Sequence, residues 1–222
     1  DNQILVGEVV NVAWRIHPLG IVTAVGSMIS MALCPLLIKK LDERKAYILL
    51  SVYGFAASIF SFVIGHFWFQ SPDNMVLTVL FYASLFLIGL QFGAVTLMPM
   101  IMTADCVDYY EYETGKRMEG AAYSILTLTI KVCLALGTAV GLIFVQVSGY
   151  YDALGAGTFT TKTKDIIFFA YTALPGVLAL LSIFPMFKYD IVGEKKAQIS
   201  AALSQRRAGK EKANNNRKNI YI

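Results

Sequence analysis

Charged residues are scarce in this sequence, and their scarcity decides its class. Only 15% of its 222 residues are Asp, Glu, Lys or Arg, whereas about a quarter of residues are charged in an average soluble domain. Hydrophobic residues make up 56% of the chain, and its mean hydropathy is +0.58. A soluble globular protein is therefore excluded, and the composition predicts an integral membrane protein.

The motifs of several enzyme classes and binding sites are also missing. The three cysteines form no C-x-x-C pair, and the two histidines have no cysteines or carboxylates clustered around them, so we predict neither a disulfide framework nor a metal site. The sequence has no G-x-x-x-x-G-K-[ST] phosphate loop and no G-x-S-x-G nucleophile elbow. We predict no catalytic residue and no cofactor, which makes a membrane enzyme the least favoured class.

Long apolar segments, in contrast, fill most of the chain. A helix needs about 20 mainly apolar residues to cross the hydrocarbon core of a bilayer. Five segments meet that length: 17–39, 46–69, 75–102, 120–147 and 166–187. Their length and composition favour helices over the short alternating strands of a barrel. The predicted fold class is therefore all-α and transmembrane, with the bundle at residues 17–187.

The basic residues are distributed unevenly between the connections. Loops 39–45 and 103–119 and the tail 188–222 carry most of the lysines and arginines. The opposite side has only three: Arg15, Lys162 and Lys164. By the positive-inside rule, the two loops and the tail are predicted to be cytoplasmic in a multi-pass protein of the cell membrane. The net charge of +4 then reflects topology and requires no nucleic-acid partner; the end of the tail is predicted to be disordered.

The first residues do not fit a complete bundle. Residues 1–16 are too short and too polar to cross a membrane, and they lack the pattern of a signal peptide. Five spans place this segment outside the cell. We interpret residues 1–16 as an outer segment with the remnant of a preceding helix, so the sequence is expected to be the C-terminal half of a larger transporter whose N-terminal half is missing here.

One connection is acidic among basic neighbours. Five carboxylates lie between Ala104 and Glu119, against one adjacent Lys-Arg pair. Asp105 and Asp108 are three residues apart where the third apolar segment leaves the membrane, so they share a face of the emerging helix. This face requires a basic partner, which we expect in the missing half. A solvated loop with internal salt bridges is the alternative.

Lys131 lies eleven residues into the fourth apolar segment, at roughly mid-depth in the membrane. An unpaired charge there costs at least about 2.5–3.5 kcal/mol, so Lys131 must face a cavity or a carboxylate. Glu119, Tyr123 and Thr127 precede it at intervals of four residues. With Ser124 beside them they predict a polar stripe along one helix face, which suits hydroxylated or anionic solutes. A structural lysine paired with another helix is the alternative.

The acidic connection and the lysine together resemble a known family. The stretch "ADCVDYYEYETGKRMEGAAYSILTLTIK", residues 104–131, resembles the motif A-D-x-x-D-Y-x-E-x-x-x-G-x-R-x-E-[GS]-x-x-Y-S and downstream lysine of the glycoside-pentoside-hexuronide:cation symporters. This is the melibiose-carrier branch of the major facilitator superfamily. The resemblance implies twelve helices in two halves, of which this chain would hold helices eight to twelve and a remnant of the seventh.

The resemblance also implies roles for individual residues. It assigns four residues to a cytoplasmic gate that pairs with the other half: Asp105, Asp108, Glu111 and Arg117. Lys131 corresponds to a lysine close to the cation and sugar sites, and Thr127 to a position near bound sugar; with Ser124 they form the predicted substrate and cation site. The family's cation-coordinating aspartates lie in the N-terminal half, so a coupling cation would be bound mainly outside this sequence.

These inferences predict symport of a sugar or glycoside with a cation, Na+ or H+, by alternating access. The implied partners are the sugar substrate, membrane lipid and the missing N-terminal half. Two alternatives stay open: a transporter of lipids or other amphiphiles with the same fold, and an inactive or purely structural membrane fragment.

Overall fold

The structure, a computed structural model, describes the backbone of residues 2–71, 73–157 and 159–220, and the side chains of residues 20–71, 73–155, 157 and 159–209. Its elements are α1 (Asn2–Gln70), α2 (Met75–Thr114), α3 (Glu119–Val147), α4 (Tyr150–Ala156), α5 (Thr161–Tyr171), α6 (Ala173–Leu181), α7 (Ile183–Met186) and α8 (Gly193–Ile220). The predicted all-helical class is confirmed for these residues.

Helix α1 is broken at Asp42, which has φ 62° and ψ 159°. This left-handed conformation costs a residue other than glycine about 1–3 kcal/mol. It divides α1 into a first arm, residues 2–41, and a second arm, residues 43–70. Gly26 of the first arm and Gly54 of the second arm both lie against residues 89–91 of α2, although a straight helix would separate them by about 42 Å. The two arms therefore fold back on each other as a hairpin.

The number of spans differs from the prediction. Among the residues that the structure describes, four helical segments are long and apolar enough to cross a membrane: Gly20–Gln70, Met75–Thr114, Glu119–Val147 and Thr161–Met186. The sequence predicted five, and the first segment holds two of those on the arms of α1. Residues 2–16 of the predicted outer segment belong to α1, and the side chains of this segment lie outside the described residues.

The last membrane segment is interrupted twice, at Thr172 and at Ser182. Each interruption lies three residues before a proline, Pro175 or Pro185. Proline has no N–H to donate to the carbonyl four residues earlier, and its ring clashes with that carbonyl. Proline therefore accounts for both interruptions, whereas α2 continues through Pro99.

Most of the packing centres on α2, which contacts both arms of α1 as well as α3 and α8. One cluster of buried side chains joins Cys34 and Ala46 of the two arms to Met98 of α2. A second cluster is aromatic, and its Trp68 and Phe81 rings stack with centroids 4.5 Å apart. These two clusters fix the hairpin of α1 on α2.

Helix α3 is packed quite differently from the other long helices. None of its 29 residues, all of which the structure describes, is buried. Near one end the Tyr123 hydroxyl donates to the Met100 carbonyl at 3.4 Å, and near the other end Phe144 contacts Phe169 with ring centroids 6.2 Å apart. Between these two contacts, the described residues of the other helices leave most of the surface of α3 uncovered.

Among the described residues, glycines of α2 make close helix contacts and those of α3 do not. Gly137 and Gly141 of α3 have the spacing of a packing motif, yet no atom lies within 4 Å of a Cβ built at either position. Gly89 and Gly93 of α2 have the same spacing and lie against the backbone of the first arm. Spacing alone cannot tell which of two such faces meets a neighbouring helix of this chain.

We expect Gly93→Leu to destabilise the protein and Gly137→Leu to leave its stability unchanged. A Cβ at Gly93 would overlap the Ser27 backbone carbonyl, and overpacking of this kind costs about 1–3 kcal/mol. Thermal unfolding of both variants in the same detergent measures the difference. Equal unfolding midpoints for the two variants would show that α1 and α2 are not in this close contact.

Candidate functional site

Helix α2 is too long to be contained in a membrane. Its 40 residues extend over about 60 Å, twice the roughly 30 Å of the hydrocarbon core. Its last turns therefore project beyond the apolar part of the bundle and carry Asp105, Asp108 and Glu111. We call residues 39–45, 103–119 and 188–209 the charged end of the bundle.

Arg117 joins the end of α2 to the start of α3. Its Nη1 donates to Asp108 Oδ1 and to Glu111 Oε2, both at 2.9 Å, and its Nε donates to Glu119 Oε2 at 2.9 Å. These hydrogen bonds hold the pKa of Arg117 above its usual range, and the hydrogen bond to Glu111 has the largest effect. The guanidinium group therefore stays charged and ties three carboxylates together.

Helix α8 supplies a second guanidinium group to the same carboxylates. Arg207 Nη2 donates to Glu111 Oε2 at 2.8 Å and lies 3.4 Å from Asp108 Oδ1. The hydrogen bond to Glu111 raises the pKa of Arg207. The neighbouring Arg206 donates to the Tyr112 carbonyl at 2.8 Å. Through these contacts α8 lies along the acidic face of α2.

A buried charge cluster lies beside this network. Lys196 Nζ of α8 is 2.5 Å from Glu43 Oε1 and 2.8 Å from Asp105 Oδ1, and the Tyr189 hydroxyl donates to Asp105 Oδ2 at 3.2 Å. The side chains of Glu43 and Asp105 are only 7% and 10% exposed. One ammonium group is therefore shared by two buried carboxylates, and it connects the break in α1, the end of α2 and the start of α8.

The environment of this cluster stabilises its charged lysine. Burial alone lowers the pKa of Lys196, but the hydrogen bonds to Asp105 and Glu43 and the charges of both carboxylates outweigh it, so the pKa is raised. Burial, and then the negative charge of Asp105, also raise the pKa of Tyr189. The cluster thus holds a protonated lysine and a neutral tyrosine at neutral pH.

These contacts correct two predictions. The basic partners of the acidic face were expected in a missing half, whereas Lys196 and Arg207 supply them from this chain, 91 and 96 residues after their partners Asp105 and Glu111. The end of the tail was predicted to be disordered, whereas α8 extends through Ile220. Lys196 and Arg207 are eleven residues apart, three turns on one helix face. That spacing was the only signal for the contact in the sequence.

The predicted substrate residues lie together on α3, away from the charged end. Lys131, Thr127 and Ser124 line one open groove, with Tyr123 and Leu128 beside them. Lys131 is about 18 Å along the helix from Glu119. Glu119, predicted at the start of the same stripe, is instead bound to Arg117.

The polar groups of the α3 groove have unused capacity for hydrogen bonds. Thr127 Oγ1 donates to the Tyr123 carbonyl at 2.8 Å, and Ser124 Oγ donates to the Gly120 carbonyl at 2.7 Å. The lone pairs of both hydroxyl oxygens remain available as acceptors. Lys131 also lines the groove and makes no hydrogen bond or ion pair with the residues that the structure describes, so its three donor hydrogens are available to a ligand.

Comparison with known proteins decides the family. The family model described as "MFS/sugar transport protein" matches residues 7–193. The chain belongs to this family. The MFS/sugar transport family consists of membrane transport proteins, so the chain is a multi-pass membrane protein and not an enzyme. The resemblance of residues 104–131 to glycoside-pentoside-hexuronide:cation symporters is confirmed.

Three relatives show how much of the chain matches other proteins. An uncharacterized 29.9 kDa protein of Pseudescherichia vulneris is 27% identical over 154 residues, which are 69% of this chain and 54% of the relative. The inner membrane symporter YicJ of Escherichia coli is 31% identical over 108 residues, 49% of this chain and 23% of the relative. The putative sulfoquinovose importer of Escherichia coli is 25% identical over 189 residues, 84% of this chain and 37% of the relative.

The chain thus spans between about a quarter and about half of the length of these relatives. No solved structure gives a significant match.

Proposed function

We propose that the chain is part of a secondary active transporter that moves a sugar or glycoside by symport with Na+ or H+. The observation that carries this proposal is the groove on α3, where an ammonium group without a described partner lies beside hydroxyl groups on a membrane-spanning helix. Relatives named as a symporter and as a putative sulfoquinovose importer support the same class of activity.

The exposure of α3 implies a second surface that covers it. A lysine facing lipid at mid-depth costs at least about 2.5–3.5 kcal/mol, and α3 has no buried residue to anchor it. An N-terminal half of the transporter would cover this face and enclose the groove between the two halves. The coupling cation would be bound mainly by that half, and rocking of the halves would expose the groove to each side in turn.

The topology proposed for this half has five crossings: the two arms of α1, then α2, α3 and the interrupted segment from α5 to α7. The charged end carries most of the basic residues, so the positive-inside rule places it and α8 in the cytoplasm. An ammonium group beside hydroxyl oxygens suits a hydroxylated solute, and an anionic one best.

The charged end would serve as the cytoplasmic gate. The side chains of Asp108 and Arg117 are 41% and 42% exposed, so they are free to exchange partners with the other half as the gate opens. Asp105 is buried under α8, and its part in the gate would be to hold α8 in place. Glu111, which binds two guanidinium groups, would couple these two parts.

We expect Arg117→Gln to slow uptake about tenfold while substrate affinity stays within about twofold, because the lost charge-assisted hydrogen bonds stabilise a conformation and not the bound substrate. Lys195→Gln is the matched control, since Lys195 is an exposed cation of the same end whose described ion pair is with Asp190, outside the Arg117 network. Initial uptake rates and equilibrium substrate binding separate the two effects. Parental uptake by Arg117→Gln would reduce the acidic end to a solvated loop.

Transport by the complete gene product that contains this chain tests the proposal. Proteoliposomes receive an inward Na+ or H+ gradient and a panel of radiolabelled neutral, uronic and sulfonated sugars. We expect one sugar to accumulate above its external concentration with one of the two gradients, and an ionophore to abolish the accumulation. Equilibration without any dependence on either gradient would refute coupling, and transport of a fluorescent lipid in place of every sugar would favour an amphiphile carrier.

A further inference from the structure

A second groove lies near the charged end, between the two arms of α1 where they pack on α2. It has a volume of about 550 Å³. Leu33 and Leu36 of the first arm and Leu49 of the second arm form its walls, and Ala94 of α2 lies at its floor. The wall side chains are 50–57% exposed, whereas Ala94 is buried. The groove is therefore open along its length to the surroundings of the bundle.

The inside of this groove offers almost nothing to a polar ligand. Its lining is dominated by leucines, and the hydroxyl of Tyr53 is occupied because it donates to the Leu87 carbonyl at 3.0 Å. The groove follows the first arm from Ser30 to Lys40, a rise of about 15 Å. A long apolar chain fits this shape and chemistry, and in a membrane the surrounding acyl chains are the molecules that meet it.

The ammonium group of Lys40 lies at one end of the groove. Lys40 lines the groove, is exposed, and makes no ion pair with the described part of the chain. The neighbouring carboxylates do not neutralise it, because Asp42 lies 4.0 Å from Lys45 and Glu43 binds Lys196. Basic pockets between membrane helices at the level of the headgroups bind anionic lipids.

We propose that this groove binds one anionic phospholipid, with an acyl chain between the arms of α1 and the phosphate at Lys40. The site is independent of the α3 groove and of transport, because it needs only the membrane location of the bundle. Bound lipid would fill the space between the arms next to the break at Asp42 and so hold the hairpin together.

Native mass spectrometry of the complete gene product in mild detergent tests the site. The probes are phosphatidylglycerol and phosphatidylcholine with identical acyl chains. We expect one phosphatidylglycerol to be retained about fivefold better than phosphatidylcholine, Lys40→Gln to abolish this preference, and Lys40→Arg to keep it. Lys45→Gln is the matched control, since it removes a charge from the same loop outside the groove and should leave the preference unchanged.

A second pair of variants tests where the acyl chain lies. Leu49→Trp fills the groove and should lower retention of both lipids, whereas Leu181→Trp, at a position that is 65% exposed elsewhere on the bundle, should not. If Leu49→Trp does not yield a monodisperse helical protein, Leu36→Trp on the facing arm takes its place. Equal losses in Lys40→Gln and Lys45→Gln, or unchanged retention in the groove-filling variant, would overturn the proposal.

Discussion

Replacing Lys131 with valine is expected to abolish cation-driven accumulation of substrate while the amount of protein in the membrane stays normal. Valine removes an ammonium group from the middle of an apolar helix, so insertion of α3 becomes at least as favourable as before. No described carboxylate loses a partner, because Lys131 has none among the residues that the structure describes. The loss should therefore appear in coupling, by at least about tenfold in accumulation, and not in stability.

Two further variants sharpen this result. Lys131→Arg keeps the charge but brings a wider planar group, so we expect partial rescue at most. Thr129→Val removes a hydroxyl that donates to the Ile125 carbonyl at 2.9 Å, outside the Lys131 groove, and should leave accumulation unchanged. If Lys131→Val accumulates substrate like the parent, Lys131 is a structural lysine; if only its abundance falls, the residue serves assembly.

Replacing Lys196 with methionine is expected to give the largest loss of stability. It leaves Glu43 and Asp105, both about nine-tenths buried, without the ammonium that they share. Removing one partner of a buried ion pair costs about 3–5 kcal/mol. Since the Lys196 side chain is 36% exposed, we expect the low end of that range, measured as the free energy of unfolding in detergent.

The partner residues provide controls for this effect. Without Lys196, the carboxylates of Glu43 and Asp105 repel each other. Glu43→Gln in the Lys196→Met background removes this repulsion and should restore at least half of the lost stability. Lys195→Met at the neighbouring exposed position should leave the unfolding midpoint unchanged. Lowering the pH should shrink the deficit of Lys196→Met, because burial raises the pKa of Asp105 and protonation of this carboxylate also removes its repulsion with Glu43. A deficit that is independent of pH and of Glu43 would mean that Lys196 acts only by packing.

The sequence predicted well those features that lipid imposes on any membrane-spanning chain. It also indicated contacts between residues close to each other in the sequence. Lipid allows only about 20-residue apolar helices as isolated spans, so hydropathy located the helices. The contacts of Arg117 with Asp108 and Glu111 join residues at most nine positions apart within one motif, and they match the alternative of a loop with internal salt bridges.

The parts that it missed depend on tertiary structure. Lys196 reaches Asp105 across 91 positions and Glu43 across 153 positions, and no periodic pattern links residues so far apart. Likewise, Gly89 and Gly137 each begin the same four-residue spacing of glycines, and only the arrangement of the helices puts the first against a neighbour. The polar composition of α8 does not reveal that it docks along α2.

The central claim is that the Lys131 face of α3 lines a water-filled route for substrate, and cysteine labelling tests it most directly. In a background with Cys34→Ala, Cys106→Ser and Cys133→Ser, Thr127→Cys should react with a charged, membrane-impermeant thiol reagent, and substrate should slow the reaction. Ile125→Cys, 66% exposed but on the other side of the helix, should stay unlabelled. Labelling of Ile125→Cys with none of Thr127→Cys would contradict the claim.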